Sequence, residues 1–323
     1  MRGCLFAEWL SPVEEISTPL DSLHCDCYGR EGAIVIVTIL DVVIAGLLLG
    51  GLYALIAMGL SLQYGVARVL NVSHGEFIML GGLITWTLTT QFGLNPLAAL
   101  AVCGPLTFLL GYILHRTIFR RLASTAESVG VFEGNSMLAS FGLMFIIQNL
   151  ALVIWGPEIR GYSYLARPVN IGGALFGANR LLTLGFALVI GLIFYLYLAR
   201  TRMGKAIRAA AQDRDAAALM GININYVLAS CFALGAAMAG IAGMLISMSY
   251  PVNAVMGFEY TTIAIIVVVL GGLGSIPGSF IGGFLLGLVG SVVTYFQPGL
   301  ALAAYYAIFI LLLLIRPTGI MGR

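Results

Sequence analysis

From Tyr260 to Ile315 the chain carries no Asp, Glu, Lys or Arg. A bilayer core is crossed by roughly 20 apolar residues, so this one stretch exceeds a single crossing. In lipid each backbone N–H and C=O must be satisfied internally, which leaves helices as the economical solution for a run of this kind. The remainder of the chain agrees: 60% of residues are apolar, 9% are charged, and the mean hydropathy is +1.01. A soluble domain carries about 25% charged residues. The expected fold class is therefore an all-α integral membrane protein of about eight to nine transmembrane helices, some of them broken.

Nine apolar segments are predicted, at about 33–64, 76–92, 97–118, 136–155, 181–199, 226–248, 259–274, 278–296 and 299–315. The junctions near 64–76 and 248–258 are irregular and suit broken helices. Basic residues orient the chain. Arg116, Arg120 and Arg121 lie in one loop; Arg200, Arg202, Lys205, Arg208 and Arg214 lie in another; Arg316 and Arg323 lie at the end. With nine spans all three groups share one side, the cytoplasmic one. The loop at 156–180, with Arg160, Arg167 and Arg180, is then external. The sixth span enters opposite to the first, which permits an inverted repeat. Gly75-Glu76-Phe77 and Gly257-Phe258-Glu259 would hold corresponding places in it.

Small residues four apart mark helix contacts: Gly46/Gly50, Ala236/Gly240, Ala239/Gly243, Gly278/Gly282 and Gly283/Gly287. Residues 1–32 read as an acidic tail, external or poorly ordered, ahead of a membrane domain at 33–323. The tail lacks the basic start and apolar core of a signal peptide. Its His24-Cys25-Asp26-Cys27 run is a weak metal motif, best read as flexible chain, and no metal is expected. Cys103 and Cys231 read as small apolar packing residues.

Chemistry of the enzymatic kind is not visible. The only lysine, Lys205, sits in Gly204-Lys205-Ala206, which is not a phosphate-binding loop. Gly271 to Gly278 is glycine-rich but has no cation and reads as a tight turn. No nucleophile and base stand together, and nothing suggests a nucleic-acid partner. The most informative polar segment is Thr201 to Ile222, charged and helical, between two apolar stretches. Gly204 is expected to start its helix and Gly221 to stop it. Lys205, Arg208, Gln212 and Asp215 would share one face, suited to docking on lipid or in the groove of a partner.

MGKAIRAAAQDRDAAALMGI resembles the coupling segment of branched-chain amino-acid ABC importer permeases, the Liv type. Three other stretches and the C-terminus are similar in order: Gly51 to Leu60, Asn71-Val72-Ser73-His74-Gly75-Glu76-Phe77-Ile78-Met79-Leu80-Gly81, Leu270 to Gly278, and Arg316-Pro317-Thr318-Gly319-Ile320-Met321-Gly322-Arg323. Val72-Ser73 replaces Phe-Ala in the family's motif. The resemblance spans about 40–323 and leaves the tail uncovered. It implies a bacterial inner-membrane, multi-pass permease without an ATPase site or cofactor of its own. Its partners would be two cytoplasmic ATPases using ATP and Mg, a second permease, paralogous or identical, and a periplasmic substrate-binding protein. The cargo would be branched-chain or other hydrophobic amino acids, or related small solutes. The coupling residues would be Arg202, Gly204, Lys205, Arg208, Gln212, Asp213, Arg214 and Gly221, within 201–222.

Polar groups at membrane depth complete the candidate set. Asn71, His74 and Glu76 surround the expected break before the second span. They read either as a gate or as a helix cap, with Asn71 or Ser73 starting the helix and Glu76 near its positive end. Gln148 and Asn149 in the fourth span face a path or bond to a neighbouring helix, and Glu259 lies near the external end of the seventh. His74 is not expected to relay protons, because ATP supplies the energy in the resembling family. The rival reading is an ion-coupled secondary transporter in which Asp41, Glu76 or Glu259 binds the ion. A membrane-embedded enzyme is a distant third.

Overall fold

A computed structural model describes residues 20–171, 174–316 and 318–322; side chains before residue 37 and at 171–175 are outside the description. The His24–Cys27 run and most of the acidic tail thus lie outside the described side chains. The main helices are α1 (Leu20–Ala67), α2 (His74–Thr90), α3 (Leu100–Leu114), α4 (Arg120–Thr125), α5 (Val129–Trp155), α6 (Ala178–Arg200), α7 (Arg202–Gln212), α8 (Arg214–Leu219), α9 (Ile224–Ser247), α10 (Gly257–Gly271), α11 (Ile276–Phe296) and α12 (Ala301–Ile315). A π-helical turn, His115–Phe119, joins α3 to α4, so the expected loop at 115–121 is helix. The protein is helical apart from one antiparallel hairpin, β1 (Pro168–Ile171) with β2 (Ala174–Gly177), in the loop before α6.

All nine apolar segments form helices, but seven among the described residues are long and apolar enough to cross a membrane, not eight or nine. α2 has 17 residues and α10 has 15. Both are short for the same reason: each begins inside the bundle, after chain that has already turned back. The expected irregular junctions are where this happens.

The core is α1, α2, α9 and α10, flanked by α3 and α11. α1 packs on α11, and α3 packs on α9. Glycine permits the approach. A side chain at Gly243 would strike the Ile78 carbonyl, one at Gly81 the Gly240 carbonyl, and one at Gly287 the Gly50 backbone. Each small-residue pair read from the sequence includes a glycine in such a contact: Gly46 and Gly50 meet α11, Gly240 meets Thr107, and Gly282 meets α10. With no hydrophobic drive between helices in lipid, close backbone packing supplies much of the association.

The ends of the helices sort by charge. The C-terminus of α1 meets the α7–α8 break through Arg214 and Val66, and Arg68 meets Glu133 at the start of α5. Ile320 and Met321 pair with the last turn of α10. The basic groups at 116–121, 200–214 and 316 therefore share one end, as the loop charges required. At the other end Arg160 pairs with Val252 through both backbone bonds, each 2.8 Å, and its guanidinium lies 4.3 Å from the Trp86 ring centre.

Two alanine substitutions separate packing from propensity. Gly243→Ala places a methyl against the Ile78 backbone and should cost about 1–3 kcal/mol through overpacking. Gly185→Ala meets nothing within 4 Å and should stabilise by up to about 1 kcal/mol through helix propensity. Thermal unfolding in detergent should shift in opposite directions for the two.

Candidate functional site

The polar break is built from the end of α1 backwards. Arg68 takes a left-handed φ of 55°, and residues 68–73 return along α1 until His74 lies beside Ile56. His74 Nε2 is 3.2 Å from the Ile56 carbonyl. A carbonyl only accepts, so Nε2 carries the proton; Nδ1 has no partner among the described residues.

The first turn of α2 leaves N–H groups that no helical carbonyl can reach. A neighbouring helix serves one of them. Gly75 N–H donates to Thr261 Oγ1 of α10 at 2.8 Å, and the Thr261 hydroxyl donates to the Val72 carbonyl at 3.0 Å. Ser73 occupies the N-cap position, yet its side chain makes no capping bond. The cap expected from Asn71 or Ser73 is thus absent, because Asn71 Oδ1 accepts both the Ser73 N–H at 3.1 Å and the Ser73 hydroxyl at 2.7 Å. Asn71 Nδ2 donates to Gln63 Oε1 at 3.1 Å, and Gln63 Nε2 donates to the Phe232 carbonyl of α9 at 3.0 Å. Ser140 Oγ of α5 accepts the Val72 N–H at 3.0 Å, and its one proton lies between the Met137 carbonyl at 2.8 Å and the Leu70 carbonyl at 3.2 Å. α5 and α10 thereby serve the backbone of the turn, while α1 and α9 hold it through the Asn71 side chain.

Glu76 stands apart. It is fully buried, and neither carboxyl oxygen has a hydrogen-bond partner among the described residues. A side chain at Gly257, the first residue of α10, would collide with this carboxyl group. A side chain at Gly75 would collide with the Gly257 carbonyl. The N-termini of α2 and α10 therefore meet, and Glu76 lies at the meeting point. Each N-terminus carries the equivalent of about half a positive charge, so an acid here is electrostatically favoured although it is unbonded.

The other residues singled out in the sequence are not part of this cluster. Gln148 and Asn149 lie further along α5; Asn149 is exposed and donates to the Phe145 carbonyl of its own helix at 2.8 Å. Glu259 is exposed in the first turn of α10. Gln63 and Thr261 were missed. A side-chain amide within an apolar run was a usable signal for Gln63, whereas Thr261 is indistinguishable by sequence from Thr262 beside it.

The charged segment is two helices. α7 starts at Arg202, two residues before the Gly204 start expected, because Thr201 is the N-cap and its Oγ1 accepts the Gly204 N–H at 3.0 Å. It breaks at Asp213, whose carboxylate accepts the N–H groups of Asp215 at 2.9 Å and Ala216 at 3.0 Å. The break interrupts the expected continuous face of Lys205, Arg208, Gln212 and Asp215. Gly204, Ile207, Ala210 and Ala217 are buried, while Arg202, Lys205, Gln212 and Asp213 are exposed. Gly221, at φ 81°, ends α8 as expected.

Two arginines tie this unit to the bundle. Arg208 donates to the Leu198 and Ala199 carbonyls at the end of α6. Arg214 donates to the Val66 carbonyl at the end of α1, 2.8 Å away. Burial lowers the Arg214 pKa from its usual value, and Arg68 adds to this, against the opposing pull of Asp215 and Glu133. Leu219 and Met220, 89% and 83% exposed, project from the far end of α8.

The membrane bundle thus carries an exposed helical unit tied to its core. Residues 42–316 match the model of the family described as "Branched-chain amino acid transport system / permease component", and the chain belongs to that family. It is 31% identical over 300 residues to the high-affinity branched-chain amino acid transport system permease protein BraD of Pseudomonas aeruginosa, covering 88% of this chain and 96% of BraD. It is 30% identical over 295 residues to LivH of Escherichia coli K12, covering 86% and 94%. A more distant relative is the fructose import permease protein FrcC of Rhizobium meliloti, 26% identical, covering 78% and 75%. PsaBC from Streptococcus pneumoniae in complex with Fab superposes at a TM-score of 0.47 and 14% identity over 90% of this chain and 97% of that one, too remote to add to the assignment. The chain is a multi-pass permease component of an ABC transporter and a non-catalytic subunit of it.

Thr261→Val keeps the volume at the break but removes the hydroxyl that serves Gly75 and Val72. Leaving a buried N–H and C=O unpaired should cost about 1–3 kcal/mol for each group. Thr261→Ser should recover most of the lost thermal stability; a stable valine variant beside a destabilised serine variant would point to the methyl group instead.

Proposed function

We propose that this permease works beside a second permease, paralogous or identical, in an importer for branched-chain amino acids or related small apolar solutes. Two cytoplasmic ATPases supply the energy through ATP and Mg, and an external binding protein delivers the cargo. The names of BraD and LivH favour amino acids over the sugar named for FrcC, since their identity and coverage are higher.

One observation carries the mechanism: Arg214 bonds the α7–α8 break to the last turn of α1, six residues of chain before α2 begins. An ATPase that pulls on the exposed face of α7 and α8 thereby pulls on the junction of α1 with α2. In this reading Arg202, Gly204, Lys205, Arg208, Gln212, Asp213, Arg214 and Gly221 form the coupling unit. Lys205, Leu219 and Met220 belong to its docking face, whereas Arg208 and Arg214 act as internal struts. The junction, with Asn71, His74 and Glu76, is the gate. An inverted repeat of α1–α5 and α9–α12 supports the arrangement: α1 on α11 mirrors α3 on α9, and the two short helices meet at their N-termini. Asn149 and Glu259 are exposed and Gln148 is half-buried, which leaves them available to the path or to the second permease. The ion-coupled alternative lacks a shared site, because Asp41 and Glu259 are exposed and Glu76 is buried alone.

Two measurements test this reading in proteoliposomes holding the whole transporter. Leu219→Asp combined with Met220→Asp should leave the permease folded yet cut substrate-stimulated ATP hydrolysis and uptake at least tenfold. Unchanged stimulation would remove α8 from the interface. Glu76→Gln keeps the shape of the side chain and removes the acid; uptake should fall by tenfold or more at unchanged thermal stability. Full uptake by that variant would exclude Glu76 from the gate, and a loss of uptake that tracks lost stability would make it structural only.

A further inference from the structure

At the basic end of the bundle, a cavity of about 190 Å³ opens between the end of α3, the π turn and the start of α9. Its lining includes Tyr112, His115, Arg116, Arg120, Asn223 and Tyr226, and no acidic residue. Among the described residues neither arginine has an acidic partner, the one ion pair there being Arg68 with Glu133. Arg116 reaches the Tyr112 hydroxyl at 3.5 Å.

The cavity floor is built rather than incidental. The wide turn at His115–Phe119 is closed by the Arg120 N–H on the His115 carbonyl, and it brings Arg116 and Arg120 to the same opening. π turns of this kind are frequent at functional sites. His115 is 5% exposed, stacks on Phe119 and lies tilted against Phe232, which fixes the ring beneath the opening. Asn223 caps the 24-residue α9 by accepting the Tyr226 N–H at 3.1 Å, so the positive end of that long helix also faces the cavity.

We propose that this cavity binds a phosphate group, supplied by the headgroup of an anionic membrane phospholipid. Two guanidinium groups without an acidic partner, a helix N-terminus and two tyrosines suit a phosphodiester and its glycerol hydroxyls. The cavity lies where α3 ends and α9 begins, at the basic end of the bundle, and basic pockets between transmembrane helices bind acidic lipids. Occupation would fasten the π turn to the start of α9, the helix that follows the coupling unit. The site is independent of how the gate works.

The test uses the assembled transporter in nanodiscs of phosphatidylcholine with or without phosphatidylglycerol. Native mass spectrometry reads retained lipid, and thermal unfolding reads stabilisation. The wild type should retain phosphatidylglycerol and unfold at a higher temperature in its presence. Arg116→Gln with Arg120→Gln should weaken retention roughly thirtyfold, taking about 1 kcal/mol for each basic residue. Arg116→Lys with Arg120→Lys should keep much of the binding and controls for folding. If millimolar inorganic phosphate displaces the lipid and stabilises equally, the phosphate group is bound irrespective of source. If inorganic phosphate has no effect, the glycerol and acyl chains contribute. Equal retention of the two lipids by the wild type, or undiminished retention by the glutamine variant, overturns the proposal.

Discussion

The structure depends on how it satisfies the backbone where α2 and α10 begin. Both helices start inside an apolar bundle, where lipid offers no hydrogen bonds and each unserved N–H or C=O is costly. Thr261 serves two such groups of the α2 turn, and Asn71, Gln63 and Ser140 connect that turn to α1, α9 and α5. The break is thus held by side chains from three helices, α1, α5 and α10, and by a backbone carbonyl of α9. The same contacts fix where the two short helices meet, and hence where Glu76 is buried.

A junction of this kind has two properties useful to a transporter. It is stiff, because glycine lets backbones touch: Gly75 on Gly257, Gly243 on Ile78 and Gly81 on Gly240 leave no room for a methyl group. It is also poised, because an acid with no bonded partner lies between two helix N-termini and gains from any movement that admits water or a donor. Arg214 joins this junction to the surface through Val66, and Arg208 joins the same surface to α6. A load applied to α7 and α8 therefore reaches the break through short, directed bonds.

Much of this architecture was legible in the sequence. All nine apolar runs are helices, the basic loops share one end, and the motif from Asn71 to Gly81 marks the break. Helix lengths were less legible, because hydropathy reports what a segment can contact, not where in the bundle it begins. α10 looks like an ordinary span until Gly257 is seen against Gly75. Caps misled for a related reason. Ser73 has the right chemistry, but Asn71 competes for its hydroxyl at 2.7 Å, and the serving group arrives from Thr261, 186 residues from Gly75. In the charged segment at 201–222 the charges were evident, while which of them bond to the bundle was not, since Lys205 and Arg208 differ only in what they reach.

The account rests on the meeting of α2 and α10 being a moving part driven from α7 and α8. Hydrogen–deuterium exchange on the assembled transporter, nucleotide-free and trapped with ATP, measures this directly. Amides at 70–78 and 256–263 should be protected without nucleotide and exchange at least tenfold faster in the ATP-trapped state, along with a change at 201–222. A response at 201–222 with unchanged protection at both helix starts would contradict the account.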